Sequence, residues 1–232
     1  MASKRRRRSP AFTVLGLVLI PTAVAAALAA AHTLFSLAAS VTYFSAGFGA
    51  VLFAHMVGVL RGERAYVFAH ELTHAAAAWF QGGKVLAFVV KADSGHVDLS
   101  KMNAFIALAP YWIPLYALAT VGVYRLAIWS GPWPKQEEFF LAAMGGALAF
   151  HFAHTARALW STHQSDLDHL GITLSLSLIA LLNAGVLLGA LKCLFPQAVS
   201  VSNSLRWVMS VTKTFWGALA SGVGDVLRAT AT

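Results

Sequence analysis

Charged residues are scarce in this sequence. Asp, Glu, Lys and Arg make up 11% of its 232 residues, while 58% of the residues are hydrophobic. A soluble domain carries about a quarter charged residues and roughly half apolar ones. The single cysteine, Cys193, gives no basis for a disulfide framework, and the high apolar content argues against disorder. These shortages leave a polytopic membrane protein as the class that fits.

Basic residues outnumber acidic ones, giving a net charge of +8, and five of the seventeen Lys and Arg occupy positions 4–8. In a soluble protein such an excess would suggest nucleic acid. In a membrane protein the location of the charges matters more than their total, so no nucleic-acid partner is expected. We interpret residues 1–10 as a basic N-terminal tail.

Long uncharged runs predict the membrane helices. Residues 9–60 contain no charged side chain, and this run is long enough for two spans because one span needs about 20 apolar residues. We expect an uncleaved first helix from Ala11 to Ala31, rather than a signal peptide, and a second from Phe35 to Leu60. Four more predicted helices cover Glu63 to Gln81, Met102 to Tyr124, Phe139 to Ala156 and His169 to Leu191. The predicted fold is an all-α polytopic membrane protein of about six transmembrane helices, with residues 11–195 as the membrane-embedded domain.

Three features depart from this pattern of straight apolar helices. The segment KVLAFVVKADSGHVDL (84–99) predicts a short membrane-associated β-hairpin around an Asp93-Ser94-Gly95 turn. Pro110 and Pro114 predict a kink in the following helix. In the C-terminal segment 196–232, apolar residues recur every three or four positions. This spacing favours an amphipathic helix on the membrane surface, with partner binding as the alternative.

The distribution of positive charge predicts the orientation. With a cytoplasmic N-terminus and six crossings, thirteen of the seventeen Lys and Arg fall on the cytoplasmic side. We therefore predict a multi-pass integral protein of the plasma membrane with both termini in the cytoplasm.

The most specific motif is HELTH, residues 70–74, within the third predicted helix. On a helix, positions i and i+4 share a face, so His70 and His74 can direct two imidazoles at one zinc ion. Glu71 lies beside that face and is suited to act as a general base. The alternative is a pair of helix histidines hydrogen-bonded to neighbouring backbone.

A catalytic zinc usually has three protein ligands and one open position. The residues alone leave the third ligand open among His55, His96, His151, His154, His163, His169, Asp166 and Asp168. His151, His154 and Thr155 share one helix face. They are interpreted either as a second layer around the metal that bonds Asp166 or a substrate carbonyl, or as contacts that hold the helices together.

The order of these motifs resembles the site-2 proteases, a family of membrane-embedded zinc metallopeptidases, over about Glu63 to Leu191. The matching features are HELTH with small residues after it, the Gly82-Gly83 stop, the hairpin and the pair Ala109-Pro110. The resemblance implies that a later helix supplies an aspartate as third ligand, usually within NxxPxxxLDG. This chain has HFAHTARALWSTHQSDLDHLG there, which is similar to divergent members with a Ser-Asp pair after a His/Thr helix.

That resemblance favours Asp166 as the third ligand, with Asp168 as the alternative. The two are two residues apart, so on a helix they would point roughly 200° apart and could not both face one metal. The resemblance also implies that Val85 to Val90 binds an extended substrate by strand addition. The alternative is a hairpin that only packs on the helices.

These inferences combine into one functional prediction. We expect an intramembrane zinc endopeptidase, with one Zn²⁺ per chain, that cleaves a membrane-spanning or membrane-anchored protein within the lipid bilayer. The alternatives are a non-catalytic membrane protein that binds a metal or a partner on the same fold, and a metal transporter. A transporter would use the same ligands but would not need Glu71.

Overall fold

The computed structural model of the protein describes residues 9–37, 41–60, 62–92, 94–131, 136–161 and 164–230. The described residues are mostly helical and contain one small two-stranded sheet. The helices are α1 (Pro10–Leu37), α2 (Thr42–Met56), α3 (Glu63–Phe80), α4 (Ala104–Leu108), α5 (Leu115–Trp129), α6 (Gln136–Ser161), α7 (Ile172–Leu194) and α8 (Val201–Thr230). The strands β1 (Val85–Val90) and β2 (Gly95–Leu99) follow α3, and short 3-10 segments cover Ala109–Tyr111 and Ser165–His169.

Three of these helices are long and apolar enough to cross a membrane: residues 10–37, 136–160 and 172–194. The segment from Ala104 to Trp129 makes a fourth if its bent halves count as one span. The 15 residues of α2 extend roughly 22 Å, short of the ~30 Å hydrocarbon core. Helix α3 carries Glu63, Arg64 and Glu71. The membrane character is therefore supported, whereas the predicted count of six spans is not confirmed by the described helices.

The side chains at the surface also fit a lipid environment. Large apolar residues of α1, among them Val14, Leu17 and Leu28, are more than half exposed. Exposed apolar surface of this extent is unusual in a soluble monomer. Trp129 at the end of α5 and Trp160 near the end of α6 are also exposed, as expected where helices reach the membrane–water interface.

The predicted kink is confirmed. The α4 segment through Tyr111 meets α5 at an angle of 71°. Pro110 lies in the 3-10 turn and Pro114 immediately precedes α5. Because proline cannot donate a backbone hydrogen bond and clashes with the preceding turn, the helix cannot run straight through this region. The bend leaves Tyr111 at the end of the first half.

Helix α1 runs six residues further than its predicted end at Ala31, to Leu37. Thr33 does not interrupt it, because its hydroxyl donates a hydrogen bond to the carbonyl of Ala29 one turn earlier (2.8 Å). A polar side chain that makes its hydrogen bond within its own helix does not end that helix.

The chain divides into two compact units. In one unit, α1 packs along α7 and contacts α8. The Ser177 hydroxyl donates to the carbonyl of Gly16 (3.0 Å) and links α7 to α1. A Cβ at Gly16 would overlap the backbone of Leu174, so the two helices approach closely there.

The other unit contains α2 to α6 and the hairpin. Its largest helix interface joins α2 and α6, and Phe44 and Leu148 are fully buried. The β1–β2 hairpin is antiparallel, pairs Phe88 with Val97, and packs on α3. The predicted hairpin is confirmed, although Asp93 of its predicted turn lies outside the described residues.

Candidate metal centre

Helix α3 positions the two histidines of HELTH. Its buried side includes Thr73, His74, Ala77 and Ala78, and the small alanines let Ile106 and Ala109 pack directly against it. His70 and His74, one turn apart, have ring centroids 4.8 Å apart. Their side chains therefore converge on one buried region, as the i, i+4 spacing predicts.

Asp166 reaches the same region from the 3-10 segment Ser165–His169. Its Oδ2 atom lies 3.4 Å from Nε2 of His70 and 3.4 Å from Nε2 of His74. The possible ligand atoms of the three residues all lie within 4.8 Å of one another, so the group could hold a metal ion. Asp168, two residues further, is exposed and is not part of this group.

The spacing of the group fits a metal. Corners of a tetrahedron are about 3.4 Å apart when each lies about 2.1 Å from the centre, the usual metal–nitrogen and metal–oxygen distance in zinc sites. The two observed separations between Asp166 and the histidines have this value. Three protein donors also leave a fourth corner open.

His74 is held in the ring orientation that a metal ligand requires. Its Nδ1 atom lies 2.8 Å from the carbonyl oxygen of Ile106. A carbonyl only accepts, so Nδ1 carries the proton and donates it, and Nε2 is the ring nitrogen that faces Asp166. The Nδ1 atom of His70 is buried without a protein hydrogen-bond partner.

The surroundings of Asp166 favour its ionised form. Burial opposes its charge, but hydrogen bonds and electrostatic attraction from His70 and His74 outweigh burial and hold the pKa of the carboxyl well below its usual range. The carboxylate also accepts a hydrogen bond from the hydroxyl of Tyr111 (2.9 Å). A charged carboxylate is the form that can bind a cation.

Glu71 is buried at the same place and faces a cleft of about 320 Å³. The cleft is lined by Glu63, Tyr66, Val67, His70, Glu71, Ser94, Gly95, His154, Arg157, Ala158 and Gln164. One wall is the start of β2, where a Cβ on Gly95 would lie 2.9 Å from Cγ of Glu71. The hairpin therefore touches the candidate base directly.

The three polar residues predicted on one face of α6 are all buried. His154 lines the cleft, and its ring packs 5.3 Å from Tyr66 and 4.8 Å from His55. His151 lies near His70 and Thr73 in a second, very small cavity. Among the other candidates for the third ligand, His96 and His169 are exposed, and His163 lies outside the described residues.

Sequence reasoning did not single out Tyr111 or Gln164. The Tyr111 hydroxyl lies within hydrogen-bond distance of both Asp166 Oδ2 and Gln164 Oε1. The only signal in the sequence is that Tyr111 follows the pair Ala109-Pro110. A tyrosine in an apolar run is expected to be an ordinary core residue. Its partner Asp166 lies 55 positions away in the sequence and is identified only by the structure.

Comparisons of the chain with protein-family models, with curated proteins and with solved structures found no match. The function is therefore inferred from the geometry of the site.

Proposed function

We propose that the protein is an intramembrane zinc endopeptidase similar to the site-2 proteases. The observation that carries the proposal is the convergence of His70, His74 and Asp166 on one point, with Glu71 beside them at the same cleft. A metal-binding group alone would fit many proteins. A carboxylate placed next to it, facing open space, is what a hydrolase needs.

The proposed metal is one Zn²⁺ per chain, held by His70 Nε2, His74 Nε2 and Asp166 Oδ2. Two imidazoles and a carboxylate are a donor set that zinc accepts, and one open position is typical of catalytic zinc. When bound, zinc would supply Lewis acidity, which polarises a carbonyl and makes water easier to deprotonate. The hydrogen bond from His74 to Ile106 keeps that imidazole aimed at the metal position.

Glu71 is the proposed general base. It is adjacent to His70 in sequence, is buried, and lines the cleft with it. In this position it can take a proton from the attacking water and then pass it to the nitrogen of the leaving amine. Glu71 is not part of the group of possible ligands, His70, His74 and Asp166.

The proposed substrate is a membrane-spanning or membrane-anchored protein that enters the cleft as an extended segment. The cleft runs between the hairpin and α6, and a two-stranded sheet leaves one edge of each strand open to add another strand. The proposal includes the predicted six-span arrangement of a plasma-membrane protein, with the N-terminus in the cytoplasm. The apolar helices α1, α6 and α7 support insertion in a membrane.

The decisive experiment is Glu71→Gln in the full-length protein, assayed with a model transmembrane substrate. We expect cleavage to fall at least about 10²-fold, because removing the proton acceptor removes acid–base catalysis, while zinc content stays near one per chain. The matched control is Glu63→Gln, which lies in the same helix and lines the same cleft but pairs with Arg157. Cleavage by Glu71→Gln at the wild-type rate would refute the proposal. Bound metal without any cleavage by the wild type would favour a metal-binding or transport protein instead.

A further inference from the structure

Tyr111 is fully buried beside the candidate metal centre. Its relative exposure is 0%, and it closes the 3-10 turn Ala109–Tyr111 just before the 71° bend. A tyrosine hydroxyl that is fully removed from water needs a hydrogen-bond partner, because burying it without one costs free energy. The partner of the Tyr111 hydroxyl therefore indicates the role of this residue.

The hydroxyl has two acceptors within reach. Asp166 Oδ2 lies at 2.9 Å and Gln164 Oε1 at 3.0 Å. The hydroxyl carries one proton, and an ionised carboxylate is a stronger acceptor than an amide oxygen. Gln164 is itself oriented by a hydrogen bond from its Nε2 to the carbonyl of Ala158 (3.1 Å). The Tyr111 proton therefore goes to Asp166.

The ring of Tyr111 acts on a second residue of the group. It meets the imidazole of His70 edge to face, with ring centroids 5.1 Å apart and an interplanar angle of 85°. The Nδ1 atom of His70 has no protein hydrogen-bond partner, in contrast to His74 with Ile106. Ring packing thus helps to hold His70 in place, whereas His74 is held by a hydrogen bond.

We propose that Tyr111 is a positioning residue of the metal centre. Its hydroxyl fixes the carboxylate of Asp166 and its ring fixes His70, so that the ligand atoms are spaced for a metal before one binds. This inference rests on the proposed metal centre. Asp166 lies on a short 3-10 segment rather than within a long helix, and a carboxylate there would otherwise lose side-chain freedom on binding a metal. Fixing it in advance removes that cost from the binding step.

The test compares Tyr111→Phe with Tyr116→Phe in the full-length protein. Phe keeps the ring at position 111 and removes only the hydroxyl. Tyr116 is a matched control because its hydroxyl also donates to a partner on another element, the carbonyl of Ala65 in α3 (2.7 Å), and is not hydrogen-bonded to His70, His74 or Asp166. Zinc affinity is measured by competition with a chromogenic chelator, and the metal environment by the absorption spectrum of the Co²⁺-substituted protein.

We expect Tyr111→Phe to weaken zinc binding about 10- to 100-fold, as for other hydrogen-bond partners of metal ligands, and to change the Co²⁺ spectrum. Tyr116→Phe should leave both as in the wild type. An affinity within about threefold of wild type, with an unchanged spectrum, would overturn the inference. An equal loss in Tyr116→Phe would also overturn it, because the effect would then be general to tyrosine hydroxyls that bond another element.

Asp166→Asn, measured in the same series, separates the inference from the function on which it rests. If Asp166→Asn loses zinc while Tyr111→Phe keeps it, the inference fails and the metal centre stands. If Asp166→Asn binds zinc as tightly as the wild type, the metal centre itself is wrongly assigned. The melting temperature of each metal-free variant shows whether the fold is retained.

Discussion

At the scale of single residues, the site depends on which of two neighbouring aspartates faces the histidines. Asp166 lies 3.4 Å from both imidazoles, whereas Asp168 is exposed. We predict that Asp166→Asn lowers bound zinc well below one per chain and removes cleavage, because an amide oxygen is neutral and a weaker ligand than a carboxylate. Asp168→Asn is the matched control and should retain both. Loss of zinc in Asp168→Asn alone would reverse the assignment.

Gly95 is a second position where the site requires a specific residue, because a side chain there would collide with α3. Its backbone lies so close to α3 that a Cβ would come within 2.7 Å of Val67 Cγ1 and 2.9 Å of Glu71 Cγ. We predict that Gly95→Ala displaces Glu71 and lowers cleavage about 10- to 100-fold, since small displacements of a catalytic group are costly.

Zinc content should not change in Gly95→Ala. The atoms nearest to that Cβ position belong to Val67, Glu71 and Val89, and none of them belongs to His70, His74 or Asp166. Gly122→Ala in α5 is the control, since a Cβ there meets nothing within 4 Å. Normal cleavage by Gly95→Ala would mean that Glu71 tolerates the displacement or is not the base.

At the scale of elements, the contact between α2 and α6 is the tightest helix pair of its unit. A Cβ on Gly145 would overlap the carbonyl of Phe44, and a Cβ on Gly47 would overlap the carbonyl of Ala142. Backbone atoms cannot move aside as flexible side chains do. Glycine at these two positions therefore allows the helices to approach.

We predict that Gly145→Ala lowers the free energy of unfolding by about 1–3 kcal/mol or more, because overpacking forces the backbones apart. Thermal unfolding in detergent measures the effect. Gly189→Ala in α7, where a Cβ meets nothing within 4 Å, should be neutral or slightly stabilising, since alanine favours a helix over glycine. Equal stability of the two variants would contradict the observed packing.

Helix α6 links this interface to the site. It packs on α2 through Gly145 and, two turns later, presents His154 to the cleft. Its N-terminal turn carries Glu137 and Glu138, which interact favourably with the positive end of the helix dipole. The helix ends at Ser161, and the 3-10 segment that carries Asp166, which begins at Ser165, is the next described element.

At the scale of the whole molecule, the number of crossings decides the topology. Three spans would put the two termini on opposite sides of the membrane, whereas four or six would put them on the same side. We predict that reporters fused at Gly62 and after Thr232 both read cytoplasmic, as six crossings from a cytoplasmic N-terminus require. A periplasmic or extracellular signal at Gly62 with a cytoplasmic signal at Thr232 would mean that α2 does not cross.

The sequence alone determined the long apolar helices, the hairpin and the most specific part of the site. Uncharged runs predicted the apolar helices because a membrane needs long apolar segments. The prolines predicted a kink, which the structure shows as a bend of 71°. Apolar and β-branched residues around an Asp93-Ser94-Gly95 turn predicted the hairpin, and HELTH predicted two histidines on one face with Glu71 beside them. These are local rules, in which each feature is specified by residues a few positions apart.

Only the tertiary structure decided which distant residues join that face. Asp166 and Asp168 are the same residue type two positions apart, and the 3-10 segment that contains both places only Asp166 against the histidines. Tyr111 resembles an ordinary core aromatic until its hydroxyl is seen 2.9 Å from Asp166. Contacts between residues far apart in sequence depend on how the helices and strands pack. The spacing of residues along the chain does not predict that packing.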